Sequence, residues 1–330
     1  MSTPVGNVPV IATQLVFADR MGTWKVRWGI GRMSYAVPPG LYAIGSPDSN
    51  SPVFVTANYK MSFDRVRQAL DGRNAWLLVL DTKGINVWCA AGKGNFGTDE
   101  VIRRVEMTQL ARVVSHRSLI LPQLSASGVA SHQVTKSTKF HVIFGPVRAE
   151  DISDFLAAGL KATPEMRRVR FSFKDRLILA PVELMMVIRN PYFLAALGLW
   201  VARLAGVRFI PLDGLAFLGA VVVGAVAVPA LLPWIPGRPF ALKGWLLGLL
   251  WAVAVCAFRG LPIASEAGWA AALSYIFLLP ALSAFLAMNF TGASTFTSLS
   301  GVVREMKYAL PSIILSATLG VAALVTGFFI

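Results

Sequence analysis

The C-terminal part of this chain is too apolar to remain in water. From Asn190 to Ile330 there are seven Lys/Arg and three Asp/Glu, whereas the first 189 residues carry 24 and 14. The mean hydropathy of +0.60 is therefore an average over two unlike parts. A basic, globular N-terminal part is expected, followed by a membrane part.

Five apolar runs are expected to span a bilayer: Pro191–Gly206, Leu215–Trp234, Leu242–Phe258, Gly268–Phe290 and Tyr308–Ile330. Most reach the roughly 20 residues that cross about 30 Å of hydrocarbon. Lys174, Arg176 and Arg189 precede the first run, Arg238 and Lys243 join the second to the third, and Arg304 and Lys307 join the fourth to the fifth. Cations favour the cytoplasmic side, so these segments are assigned there, against the weaker opposite pull of Arg208 and Arg259. Charged groups within the runs are nearly absent, which points to an anchor and assembly surface rather than an ion pathway. Met1 to Ala18 lacks a basic stretch followed by an apolar core, so no secretory signal is expected. The soluble part is placed in the cytoplasm, attached to a multi-pass segment of the cytoplasmic membrane. The expected boundaries are residues 1–34 without assigned role, 35–185 as the soluble domain and 186–330 as the transmembrane domain.

Within the soluble part, Val53–Ala57, Trp76–Asp81, Ser118–Leu124 and His141–Phe144 read as strands. Ser62–Leu70, Asp99–Val114 and Glu150–Ala158 read as helices, the second introduced by Thr98 as a capping oxygen and by two acids in the first turn. Alternating strands and helices predict parallel βαβ units in a doubly wound, Rossmann-like α/β sheet. Ligands of such sheets bind at the carboxyl ends of the strands. Those ends read Thr56-Ala57-Asn58, the segment around Cys89, Gln123-Leu124-Ser125-Ala126-Ser127-Gly128 and Gly145-Pro146-Val147-Arg148.

Cys89 stands in Asn86-Val87-Trp88-Cys89-Ala90-Ala91-Gly92-Lys93, before a glycine-rich turn. The other cysteine, Cys256, lies in an apolar run, so the pair makes neither a disulfide framework nor a metal motif. A lone thiol here is a nucleophile, a metal ligand or packing. Lys93 and the amides of the turn would favour the reactive thiolate. Gly92-Lys93-Gly94-Asn95-Phe96-Gly97 fits the dinucleotide pattern G-x-G-x-x-G, but no acid follows where the ribose would need one. The P-loop pattern fails as well. His116, His132 and His141 have no metal-ligand spacing, and no cysteine cluster could hold an iron–sulfur centre.

The octapeptide 86–93 resembles the signature of the HgcA family, the membrane-anchored corrinoid proteins of microbial mercury methylation. The stretches Ser51 to Lys60, Leu121-Pro122-Gln123-Leu124 and Gly145 to Arg148 are similar to the corrinoid domain shared with the corrinoid iron–sulfur protein of the acetyl-CoA pathway. The resemblance covers about residues 35–185 by motif and the apolar tail by architecture. The Asp-x-His-x-x-Gly motif of many other corrinoid proteins is absent.

The resemblance implies a cobamide across the strand ends, with the Cys89 sulfur as the lower axial ligand of cobalt. Thiolate donation opposite a methyl group would ease its departure as a carbanion equivalent, and Hg(II), a soft electrophile, would accept it. Asn86, Val87, Trp88, Ala90 and Ala91 would shape the segment presenting the sulfur, supported by Gly92, Lys93 and Gly94. Thr56, Asn58, Gln123, Leu124, Ser125, Gly128, Gly145, Pro146, Val147 and Arg148 would line the corrin and its tail. Partners the resemblance implies are HgcB, a ferredoxin-like iron–sulfur protein, as electron donor and candidate Hg(II) carrier, a methyl-donor methyltransferase and membrane lipid, but no nucleic acid. No iron–sulfur cluster is expected in this chain. The competing readings are a methyl carrier of one-carbon metabolism with another acceptor, and a membrane-tethered cobamide or nucleotide sensor without turnover.

Overall fold

A computed structural model of the chain describes residues 1–191, 193–194, 211–260, 266–294, 296–297, 299–327 and 329. It divides into two compact units, one of residues 1–26 and 30–170 and one of residues 27–29 and 171–330.

In the first unit, β1 (Ser2–Thr3) and β2 (Gly6–Asn7) make a small hairpin, followed by β3 (Val10–Ile11), α1 (Phe17–Arg27) and β4 (Gly40–Ile44). Then come β5 (Val53–Ala57), α2 (Lys60–Ala69), β6 (Ala75–Leu80), α3 (Val87–Gly92) and α4 (Thr98–Met107). The unit continues with β7 (Ser118–Leu121), α5 (Ser131–Thr138), β8 (His141–Phe144) and α6 (Ile152–Ala157). One sheet has the order β3-β4-β6-β5-β7-β8. β6, β5, β7 and β8 are parallel, as the alternating pattern implies, while β4 joins β6 antiparallel at one side.

The central strands explain themselves chemically. Every residue of Val53–Ala57 and of Ala75–Leu80 is buried, as in strands covered on both faces, and Thr56 is the one polar residue among them. Val55, Leu78 and Leu119 face a core shared with α3, α4 and α5. Phe54, Leu77 and Ile120 face the opposite core, with Phe63 of α2 and Phe155 of α6. The sheet is thus doubly wound.

Several expected boundaries move for identifiable reasons. The strand at Ser118 stops at Leu121, because Pro122 begins a 3₁₀ turn over Gln123–Ser125. The long helix expected over Asp99–Val114 ends at Met107, since Gln109 adopts φ 47° before the 3₁₀ turn Leu110–Arg112. Gly97, not Thr98, is its N-cap, and the Thr98 hydroxyl accepts the Ala130 N–H at 2.9 Å instead.

The segment without an expected role is tied down by charge. Asp19 of α1 meets Lys60 at 2.6 Å and Arg67 at 2.7 Å, and both cations also bind Asp64, at 2.8 and 2.7 Å. Arg67 Nη1 further donates to the Ala12 carbonyl at 2.5 Å. Burial alone would raise the Asp19 carboxyl, but hydrogen bonds from Lys60 and Arg67 bring it down to about 2.

In the second unit, four described helices are long and apolar enough to cross a membrane: Gly214–Leu231, Phe240–Phe258, Gly268–Asn289 and Ser300–Thr326. The expected run Pro191–Gly206 falls, except for residues 191, 193 and 194, outside the described residues. The last helix begins at Leu299, so Arg304 and Lys307 lie in its first turns rather than in a loop. Lys243 is likewise helical and buried, its ammonium donating to the carbonyls of Leu232, at 2.7 Å, and Ile235.

Small residues set the packing here. A Cβ at Gly244 would lie 2.5 Å from the Ser283 carbonyl, and one at Gly248 2.7 Å from Pro280 Cα. This Gly-x-x-x-Gly spacing lets two helix backbones touch, which replaces the hydrophobic drive that lipid removes. Within the first of the four, a π-turn over Val223–Ala227 adjoins the Ala220 carbonyl, which accepts the Ser283 hydroxyl at 2.9 Å.

Candidate functional site

β5 has β6 on one side and β7 on the other, so the chain reverses its direction of sheet growth between β5 and β7. The carboxyl ends of these two strands flank the crevice where doubly wound sheets take ligands. The segment after β6 crosses it: α3 packs against β5 and against the turn Gln123–Ser125 that follows β7.

Cys89 is carried by α3, not by a turn as its glycine-rich surroundings suggest. Asn86 is the N-cap, its Oδ1 accepting the Cys89 N–H at 3.0 Å. Helical periodicity then sorts the octapeptide. Val87, Ala90 and Ala91 are buried in the core, whereas Trp88, 42% exposed, and Cys89 face outward. Gly92 closes the helix, Lys93 is its exposed C-cap, and Gly94 takes φ 81°, the left-handed region that favours glycine.

The approach to α3 is held from β5. Asn58 Oδ1 accepts the N–H of Thr82 at 3.1 Å and of Gly84 at 3.0 Å. The Thr82 hydroxyl lies 2.9 Å from the same oxygen and 2.7 Å from the Ile85 carbonyl, and its single proton serves one of them at a time. Lys83 and Gly84 both have positive φ, 58° and 69°, so this turn depends on the clamp. Glu100 adds a second anchor by accepting the Asp81 N–H at 2.8 Å and binding Arg104 at 2.7 Å. Burial would raise the Glu100 carboxyl, but the Asp81 N–H and the two arginines at 103 and 104 hold it below its ordinary value.

On the far side of the crevice, Gly128 lies against α3, where a Cβ would meet the Phe96 carbonyl at 2.5 Å and the Ala91 carbonyl at 2.9 Å. Ser125 is buried, its hydroxyl donating to Pro122 O at 2.8 Å, while Leu124 is half-buried. The Gln123 side chain accepts from Arg167 at 3.1 Å. At the end of β8, Gly145 donates to Leu121 O at 2.8 Å and Val147 to Met166 O at 2.8 Å. Pro146 is buried, and Arg148 is half-buried beside Glu150 at 3.9 Å.

Thr56 is fully buried in β5, and its Oγ1 is the buried side-chain oxygen that, among the described residues, has no hydrogen-bond partner. A polar group left unpaired in this way costs about 1–3 kcal/mol.

The sequence-predicted residues of the first three loops therefore gather around one crevice, although Asn58 spends its oxygen on the protein rather than on a ligand. Thr82, Glu100 and Arg167 escaped sequence reading because their roles are long-range hydrogen bonds. The one local signal was an Asn directly after an apolar run, facing a Thr-Lys-Gly turn.

An exposed soft sulfur on a short capped helix and the glycine-lined backbone beside it thus stand together at the strand ends. Residues 29–156 match the family described as CO dehydrogenase/acetyl-CoA synthase delta subunit. The chain is also similar to the acetyl-CoA decarbonylase/synthase complex subunit gamma of Methanocaldococcus jannaschii, 37% identical over 127 residues, which are 38% of this chain and 26% of that one. The subunit of the same name from Methanopyrus kandleri is 35% identical over 122 residues, 36% of this chain and 26% of its own. That of Archaeoglobus fulgidus is 33% identical over 127 residues, 38% and 27%. The chain spans about a quarter of the length of these relatives.

Proposed function

We propose that this chain is a membrane-anchored, corrinoid-dependent methyltransferase in which the Cys89 sulfur would hold the cobalt of a cobamide and Hg(II) would be the methyl acceptor, giving methylmercury. The observation that carries the reading is the outward thiol on a capped helix lying across the switch point. A cobamide, when bound, supplies a methyl group that leaves with both bonding electrons toward a soft electrophile. The chain's residues do the rest. Cys89 donates electron density, Asn86 orients its helix, and Trp88 gives an apolar face beside the sulfur. Thr56 and Asn58 close the end of β5 beneath it, and the loops at Gln123–Ser125, Gly128 and Gly145–Arg148 wall the ligand. A ferredoxin-like protein of the HgcB kind would return electrons, and a separate methyltransferase would restore the methyl group.

The test is the visible spectrum of purified protein reconstituted with a cobamide, together with methylmercury formation. Wild type should bind the corrinoid and methylate Hg(II). Cys89→Ala should lose the ligation spectrum and the activity, and Cys89→His should show whether any donor suffices. Full activity of Cys89→Ala would overturn the assignment.

A second reading, a methyl carrier for a different acceptor, draws support from the likeness to subunits of the acetyl-CoA decarbonylase/synthase complex. Methyl transfer measured to Hg(II) beside thiols and one-carbon acceptors separates the two.

A further inference from the structure

The helices Phe240–Phe258 and Leu299–Thr326 start side by side, for Glu305 accepts the Ala241 N–H at 2.7 Å. Between them, over the end of the helix Glu266–Asn289, runs a groove of about 1010 Å³. Arg238 and Arg304 stand at its mouth, and Trp245 and Tyr308 form its rim, 39% and 64% exposed. Deeper in, Ala281, Ala284, Ala309 and Ser316 line it, residues too small to fill the space between helices.

We propose that this groove binds one phospholipid of anionic headgroup, its phosphate held by Arg238 and Arg304 and one acyl chain laid along the small residues below. Charge favours it. The Glu305 carboxylate is engaged in capping a helix. Neither arginine pairs with a described carboxylate, and guanidinium groups suit phosphate oxygens. Basic pockets between transmembrane helices are where such headgroups bind, and exposed Trp and Tyr mark the headgroup level.

Length decides against a protein occupant. Arg304 to Ser316 covers about 18 Å at the helical rise, close to one leaflet of a core about 30 Å thick. Beyond that depth the groove is shut. Ser316 donates to the Phe277 carbonyl at 2.9 Å, and a Cβ at Gly320 would lie 2.6 Å from Leu278 Cγ. A spanning helix needs the full thickness, whereas an acyl chain needs half. A second copy docked by two-fold symmetry would also set Arg238 and Arg304 against their equivalents.

Native mass spectrometry of the full chain in detergent, with phosphatidylglycerol or phosphatidylcholine added, tests this. Wild type should retain one phosphatidylglycerol in preference to phosphatidylcholine. Arg238→Gln with Arg304→Gln should weaken that retention about tenfold or more, as expected for losing charge-assisted hydrogen bonds. Ser312→Phe, which keeps the charges and fills the groove, should weaken it as well. Both variants are compared with wild type at an unchanged thermal transition. Unaltered retention in either folded variant overturns the proposal. So does equal retention of the two lipids, competition by inorganic phosphate alone, or a dimer that Ser312→Phe disperses.

Discussion

The side-chain oxygen of Asn58, at the end of β5, lies 3.0 Å from the backbone nitrogen of Gly84, two residues before the cap of the cysteine-bearing helix. One acceptor at the end of one strand thus sets where the cysteine-bearing segment after the next strand begins. Asn58→Ala would leave the buried Gly84 N–H without its acceptor, at about 1–3 kcal/mol, while the Thr82 N–H would keep only its bond to the Leu80 carbonyl. A lower melting temperature, with corrinoid retention falling further than in an equally destabilised core variant, is the expected result. Equal losses in the two would reduce Asn58 to a fold residue.

Gly128→Ala tests the opposite wall. The new methyl would press on the backbone carbonyls of Phe96 and Ala91, neither of which can rotate away as a side chain would. Overpacking of this sort costs about 1–3 kcal/mol, and relief requires α3 to shift. Corrinoid binding by the purified variant should drop while its helix content, read by circular dichroism, stays near wild type.

Asp19 makes an acid-stability prediction. Its folded carboxyl lies near 2, below the ordinary 3.8, because Lys60 and Arg67 bond its charged form despite burial. A depressed carboxylate stabilises the fold above the unfolded value and loses that contribution as pH falls through the folded one. Stability of the N-terminal unit should therefore fall between about pH 4 and pH 2 as Asp19 protonates. Asp19→Asn should be less stable at neutral pH and show a flatter acid limb in urea titrations.

In the second unit, Gly248→Leu would drive a side chain into Pro280 and Ser283. Close helix contact is the source of stability in lipid, so the variant should unfold earlier in detergent. A substitution of the same size at Leu250, which is exposed, should not.

Burial and period were legible in residue order. The largely apolar run Val53–Ala57 and the run His141–Phe144 fall within strands as their composition implies, and the octapeptide marks its cysteine by residue order alone. The N-terminal segment was not legible, because its hold on the fold is the pairing of Asp19 with Lys60 and Arg67, residues 41 and 48 positions away. β4 was lost for a related reason: Gly40–Ile44 is short and is a strand only through its pairing with β6.

By itself, the sequence determined the separation into a polar sheet domain and an apolar helical part, because hydropathy depends on composition and not on contacts. It also determined that one thiol would stand among small residues at a strand end. Only the tertiary structure decided that this thiol points outward. Helical periodicity turns Val87, Ala90 and Ala91 into the core and leaves Trp88 and Cys89 outside, and that helix exists because Asn86 caps it, Asn58 holds its entry and Gly128 leaves it room.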